Sequence, residues 1–318
     1  AVNGIESEKV VDEIATCDIM ATAVGVNILP LIAKTIAAGI DKRLANKDGS
    51  PLDIIVCENI SDSGIYLKDL VSPYIINKEY FEKNIGFVSA SVGRMVPVST
   101  SKDSPKIIVE SYNNLPVDKD ALKTDVSDIK NFKPVSPFAI EKYKKYFMHN
   151  MSHAIVAYLG FLKGYEYLWQ AMGDTSIKNI AQKALDESID AITSYFAADR
   201  RSLSIYAKDL LNRYSNKFLN DTVARVGRDP KRKLRADDRL IGAANFCSEN
   251  NIVPDYILYG AAAAFCFDAP GDVSSSDING YIDEYGIEAA ITKFTDVQPN
   301  SPIYPKILKI YSILKCRK

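Results

Sequence analysis

DIMATAVG (residues 18–25), ILPLIAKTIAAGIDKRLA (28–45) and PLDIIVCEN (51–59) follow one another with only a few residues between them. They read as strand, helix and strand, and that alternation predicts a parallel sheet, because a crossover helix returns the chain to the same end of its neighbour. Working outward, a helix-like stretch at 6–16 precedes them; a polar helix and a third strand, IGFVSASVG (85–93), follow. KIIVESY (106–112) predicts a further strand, and DVSDIKNFKPVSP (125–137) reads as a linker.

Beyond the linker the pattern changes. Ser136-Pro137 suits the N-cap and first turn of a long helix reaching about Gly173, with further helices near 176–198 and 199–216. YILYGAAAAFCF (256–267) reads as a buried helix, since it falls well short of the roughly twenty apolar residues of a membrane span. GDVSSSDING (271–280) reads as an ordinary loop. Aromatic residues crowd the first long helix (Tyr143, Tyr146, Phe147, Tyr158, Phe161, Tyr165, Tyr167 and Trp169), and their three- and four-residue spacings predict packing against neighbouring helices. The expected division is an α/β domain over 1–134 and a mostly helical domain over 135–318.

Composition narrows the function. With 318 residues, 47% hydrophobic, the chain can bury two sizeable cores. A formal charge of −1 lacks the basic excess of a general nucleic-acid binder, and no apolar run approaches the length of a membrane span, so neither nucleic acid nor membrane is an expected partner. Five scattered cysteines without a Cys-x-x-Cys pair point to reduced thiols and the cytoplasm. His149 and His153, spaced as metal ligands can be, lack a third ligand and the intervening glutamate of an HExxH hydrolase, so no metal is expected.

The chemistry concentrates in KKYFMHNMSH (144–153). On an α-helix Asn150 would lie about 140° round from Lys145 and His153 about 80°, so an amine, an amide and an imidazole share one broad face. A partly desolvated lysine can act as a base near neutrality, while the amide and imidazole hold a developing alkoxide. On spacing alone, the same residues on an amphipathic helix usually form a solvated face. A second cluster, RVGRDPKRKLRADDRLIGAA (225–244), carries seven basic side chains between Arg225 and Arg239, either a solvated surface or an anion site.

Lys-x4-Asn-x2-His resembles the signature of the polyol-specific long-chain dehydrogenases. VCENISDSG (56–64) is similar to that family's strand-end segment bearing an active-site asparagine, here Asn59. GFVSASVGRMVP (86–97) resembles the segment closing over the nicotinamide, and 225–244 is similar to a stretch of the mannitol-phosphate branch. Together these cover most of the chain from about residue 19. The resemblance implies an incomplete Rossmann-type sheet domain followed by a helical catalytic domain, and interconversion of mannitol 1-phosphate and fructose 6-phosphate by metal-independent hydride transfer. Lys145 would be the general acid/base, with Asn150, His153 and Asn59 around the reacting oxygen. Thr22, Ala23, Val24, Gly25, Asn59 and Val92 would line the cofactor, expected to be NAD. Arg225 and Lys233 would contact the polyol chain, and Arg228, Arg232 and Arg239 the phosphate.

Two departures accompany the resemblance. Relatives carry Val-Asp-Arg where this chain reads Val92-Gly93-Arg94, which removes a carboxylate. No Gly-x-Gly-x-x-Gly turn occurs, so the chain reads as the middle of a nucleotide-binding fold whose first half, roughly sixty residues or more, is expected to lie outside it. The strand at 18–25 would then be an exposed apolar edge. Another polyol dehydrogenase, a uronate reductase or a catalytically silent fragment remain open as alternatives.

Overall fold

The structure, a computed structural model, describes residues 2–46, 50–97 and 107–315. The chain divides into two compact units, Ala1–Arg94 with Ser111–Lys142, and Met95–Glu110 with Tyr143–Lys318.

In the first unit, α1 (Ser7–Thr16) leads into β1 (Ile19–Thr22), α2 (Leu29–Asn46), β2 (Leu52–Val56), α3 (Ser63–Val71), α4 (Lys78–Asn84) and β3 (Ile85–Ser89). The three strands form a parallel sheet in the order β1-β2-β3, with Ile19 opposite Asp53 and Leu52 opposite Ile85. All five residues of β2 and of β3 are buried because both sheet faces are covered. Ile54 and Phe87 face a core with Ile14, Ile36, Ile40, Leu67 and Phe81 of the helices, whereas Ile55 and Val88 pack with Ala90 and Val117 on the other face. Gly64 permits this closeness at the α3–β3 contact, where a Cβ would meet Phe87 O at 2.3 Å. Arg43, almost wholly buried on α2, donates to the backbone oxygens of Cys17, Ser50 and Pro51, tying the end of α1 to the start of β2.

Three expectations need correction. Residues 107–112 form no strand: Ile107 and Ile108 are 78% and 73% exposed, and Lys106 lies outside the described residues. A strand needs a neighbouring ladder, and this run instead anchors through the side chain of Glu110 described below. The supposed linker at 125–137 contains β5 (Phe132–Val135), which pairs in parallel with β4 (Leu115–Asp118). Pairing, and not apolar content, makes FKPV a strand, with Leu115 and Phe132 packed against the second sheet face. Ser136 does not cap a helix; its hydroxyl donates to Asp120 Oδ2 at 2.7 Å.

From Ala139 onward the chain is mostly helical. After α5 (Ala139–Tyr143) and the segment Lys144–Asn150 come α6 (Met151–Leu162), α7 (Leu168–Gly173), α8 (Thr175–Phe196), α9 (Arg200–Tyr214), α10 (Val223–Gly227) and α11 (Pro230–Lys233). Then follow α12 (Ile241–Glu249), α13 (Ile257–Ala264), α14 (Val273–Thr295) and α15 (Tyr304–Lys315). α6, buried along most of its length, packs against α7, α8, α10 and α13. The expected helix to Gly173 breaks at Gly164, whose φ of +77° lets Tyr165 N reach Gly160 O and Gly164 N reach Phe161 O, a Schellman turn. The expected loop at 271–280 is largely helix, because Asp272 accepts from Ser275 N at 2.7 Å and starts α14. α13 is the buried helix read from 256–267. The aromatics pack as expected in part: Tyr143 and Phe147 cluster with Tyr195, Phe196 and Phe246, while Trp169 stays 38% exposed.

Candidate active site

Lys144–Asn150 is a π-helix, with Met151 N donating to Tyr146 O five residues back. The wider ring turns each residue through less than the α-helical 100°, so Asn150, five residues on, comes round much closer to Lys145 than the α-helical geometry allows. Three α-helical residues later, His153 returns near the same face. A π-helix, and not the α-helix expected from the sequence, therefore carries Lys145 and Asn150; Asn150 and His153 line the cavity described below, whose lining does not include Lys145.

Lys145 is half-buried and pairs with no carboxylate among the described residues. Burial lowers its proton affinity below the ordinary lysine value, and the nearby Arg239 charge lowers it further. His153 stacks on Tyr214, ring centroids 4.8 Å apart at 22°, with Nε2 3.6 Å from Asp221 Oδ2. Burial outweighs Asp221 and holds His153 below the usual imidazole value, so it is neutral at pH 7. His149 is buried and pushed well below that value, its ring 5.9 Å from His153.

Asn150 and His153 open onto a cavity of about 570 Å³ also lined by Arg225, Arg228, Arg232, Lys233 and Arg239, with Asp229 and Asp272 as its carboxylates. The basic run is split by the fold. Lys231 and Arg235 turn to Asp277 and Asp237 on the surface, while the other five converge on the cavity. Asp229, at φ +60°, caps α11 and donates its backbone N–H to Asp272 Oδ2 at 2.9 Å, fixing the turn that carries Arg228 and Arg232. Arg225 pairs with Asp221 and Arg239 with Asp238 at 2.7 Å, whereas Arg228 has no carboxylate partner among the described residues. Lys233 is buried, donates to Arg228 O, and burial beside Arg239 and Arg232 brings its pKa down to about 7. Five basic side chains converge on the cavity; carboxylates offset part of their charge, and Arg228, with no carboxylate partner among the described residues, is left as the clearest contact for an anion.

In the first unit, Thr22, Ala23, Val24 and Gly25 lie at and just beyond the C-terminal end of β1, Asn59 beyond β2 and Val92 beyond β3, the edge where open α/β sheets bind ligands. Ala23, Val24, Gly25, Asn59 and Val92 are exposed, and Thr22 is buried. Glu58 organises the edge, accepting from Thr22 Oγ1 at 2.7 Å and Val24 N at 2.9 Å. Gly25, at φ +93°, has open space where a Cβ would stand, leaving exposed backbone that fits a nucleotide cofactor laid over the strand ends.

Sequence reasoning missed Glu58, Tyr214, Asp221 and Asp272. Asp221, just before the N-cap of α10, could have been suspected from its four-residue spacing to Arg225; Tyr214 carries no local signal. Among the described residues no three His, Cys, Asp or Glu side chains gather as a metal site, and no helix is long and apolar enough to cross a membrane.

Two family models cover nearly the whole chain: the mannitol dehydrogenase Rossmann domain over residues 1–131 and the mannitol dehydrogenase C-terminal domain over 135–302. The chain belongs to the mannitol dehydrogenase family. Its similarity to family members is extensive. It is 35% identical to a mannitol-1-phosphate 5-dehydrogenase of Thermoanaerobacter pseudethanolicus, over 98% of this chain and 80% of the relative. It is 33% identical to one of Caldanaerobacter subterraneus subsp. tengcongensis, over 98% and 81%. In fold it resembles D-sorbitol dehydrogenase in substrate-free form, with a TM-score of 0.79, 14% identity, and 98% of this chain covering 75% of that one. Pseudomonas fluorescens mannitol 2-dehydrogenase, in a ternary complex with NAD and D-mannitol, gives a TM-score of 0.62 at 16% identity and the same coverage. The family's architecture, a parallel Rossmann-like sheet followed by a mostly helical domain, is the one described above.

Proposed function

We propose that the protein is a nicotinamide-dependent polyol dehydrogenase that interconverts mannitol 1-phosphate and fructose 6-phosphate. The observation that carries this reading is the joining of the Asn150–His153 face to a cavity with five cations, set beside relatives named for that activity. Lys145, as the free amine, takes the substrate hydroxyl proton, and in the reverse direction it returns that proton as the ammonium. The Asn150 amide N–H donates to the oxygen as it gains charge, and neutral His153 orients a neighbouring hydroxyl. Arg225 and Lys233 hold the polyol chain; Arg228, Arg232 and Arg239 hold the phosphate. Asn59, Thr22, Ala23, Val24, Gly25 and Val92 are assigned to the cofactor edge. The nicotinamide, proposed as NAD, supplies the hydride acceptor at its C4. The proposed chemistry needs no metal, and the positive charge of the cavity disfavours a bound cation.

Losing the three phosphate contacts should cost roughly 3 kcal/mol or more, so kcat/KM for mannitol 1-phosphate should exceed that for mannitol by about a hundredfold or more. The check is cofactor reduction with both polyols and the reverse reaction with a uronate. Equal use of the free polyol, or preference for the uronate, would assign the site to an unphosphorylated substrate; failure of the cofactor to bind would leave a silent protein.

Lys233 adds a pH signature. Its lowered pKa of about 7 means the cavity loses one positive charge as pH rises through neutrality, while a phosphate ester is already close to its dianion. The dissociation constant for mannitol 1-phosphate should therefore rise between pH 6.5 and 9 by roughly 1 kcal/mol, about fivefold, with proton uptake on binding above neutrality. Calorimetry in buffers of different ionisation heat measures both, and a flat affinity would remove Lys233 from the anion field.

A further inference from the structure

The π-helix at Lys144–Asn150 needs explaining, because leaving the i→i+5 pattern for the α-helical ladder of α6 disturbs the backbone hydrogen bonds at the exit. Three consecutive carbonyls there receive side-chain hydroxyls. Ser188 Oγ of α8 donates to Phe147 O at 2.6 Å, Ser152 Oγ of α6 to Met148 O at 2.6 Å, and Tyr214 Oη of α9 to His149 O at 2.9 Å. Ser152 and Tyr214 are also 3.1 Å apart, oxygen to oxygen. All three are almost wholly buried. A buried hydroxyl is costly unless bonded, so such donors beneath one turn lock that turn rather than merely fill space. Ser188 and Tyr214 come from helices that are not part of the cavity wall, and Tyr214 in addition carries the ring of His153 on its face.

We infer that Ser188 and Tyr214 are positioning residues for the reaction, holding the π-helical register through which Lys145 and Asn150 come to one oxygen. In an α-helical register Asn150 would swing away from Lys145, and the proton acceptor and the oxyanion donor would address different points. The inference rests on the proposed roles of Lys145 and Asn150.

The test compares Ser188→Ala, Tyr214→Phe, the double variant and Ser188→Thr with the parent protein in mannitol 1-phosphate oxidation. Tyr214→Phe keeps the ring against His153 and removes only the hydroxyl. Each single loss should lower kcat about tenfold and the pair about a hundredfold with KM within about twofold, as expected when reacting groups are displaced by a fraction of an ångström. Ser188→Thr should recover most of the rate. Lys145, released toward water and away from Arg239 and the neutral His149, should titrate higher, moving the rise of kcat to higher pH. Unchanged kcat and pH profile would overturn the inference, as would a rate loss that follows thermal stability while the pH profile stays put. Lys145→Ala run alongside separates the two readings: an active Lys145→Ala fails the acid/base assignment, whereas an inactive one with unaffected hydroxyl variants fails only this inference.

Discussion

Lys145→Ala should lose turnover by a factor of about 10² to 10⁴ while folding normally, the range over which a positioned proton acceptor contributes to catalysis. The proton of the substrate alcohol would have no acceptor other than water, whereas the cavity cations that hold the substrate are untouched, so the loss should fall on kcat with KM within a few-fold. A small primary amine added to the variant should restore part of the rate. The pH dependence has a definite sign. Burial and Arg239 favour the neutral amine, so alcohol oxidation should rise with pH through the lowered lysine pKa and then level, while ketone reduction, which needs the ammonium, should fall across the same interval. Stability has its own sign: at pH values between the lowered pKa and the ordinary lysine value the unfolded chain binds the proton that the native site rejects, so native stability rises with pH there, and Lys145→Met should be neutral or stabilising near pH 7. Near-normal turnover in Lys145→Ala would end the acid/base assignment.

Glu110→Ala should be the most damaging change to the helical unit, lowering its stability by about 3 to 5 kcal/mol. Glu110 and Arg213 have side chains only 3% and 8% exposed; the carboxylate accepts from Arg213 Nε at 2.8 Å and Nη2 at 2.5 Å, and from Met95 N at 2.5 Å. Removing the carboxylate takes away the closest charge partner of a buried guanidinium, with Asp209 3.7 Å away and half-exposed. Because Arg213 precedes Tyr214, the damage should extend to the His153 wall. Thermal unfolding measures the loss, and the double variant Glu110→Leu with Arg213→Met should recover much of it, since an apolar pair leaves no charge uncompensated. Glu110→Ala with an unchanged melting temperature would show the pair to be dispensable.

Glu110 illustrates how far the sequence could be read. In KIIVESY the apolar triplet outweighed the glutamate, because a strand signal depends on local composition, while the partner of Glu110 stands 103 residues away in the sequence. Distance in sequence likewise hid Tyr214, which stands 65 residues from His149 and reaches its carbonyl through the packing of α9 on the Lys144–Asn150 turn. The linker-like FKPV became a strand for the same reason: its pairing partner is Leu115–Asp118, and no property of the four residues alone announces it. GDVSSSDING was read by its turn-forming composition, although Asp272 is equally an N-cap, and the fold decided between the two.

What the sequence by itself determined is whatever is encoded in periodicity and short-range pattern. The alternation of DIMATAVG, its following helix and PLDIIVCEN specifies the parallel sheet; the apolar run 256–267 specifies a buried helix; and the Lys145, Asn150 and His153 spacing, with the basic run after Arg225, marks the chemistry. What only the tertiary structure decided is how those groups are aimed. Five of seven basic side chains turn into one cavity and two do not, Lys233 is driven to a pKa of about 7 by its surroundings, and the segment Lys144–Asn150, proposed to be catalytic, winds as a π-helix. Each of these depends on contacts between residues far apart in the chain, on burial, charge proximity and hydroxyls lent by neighbouring helices, which no local pattern contains.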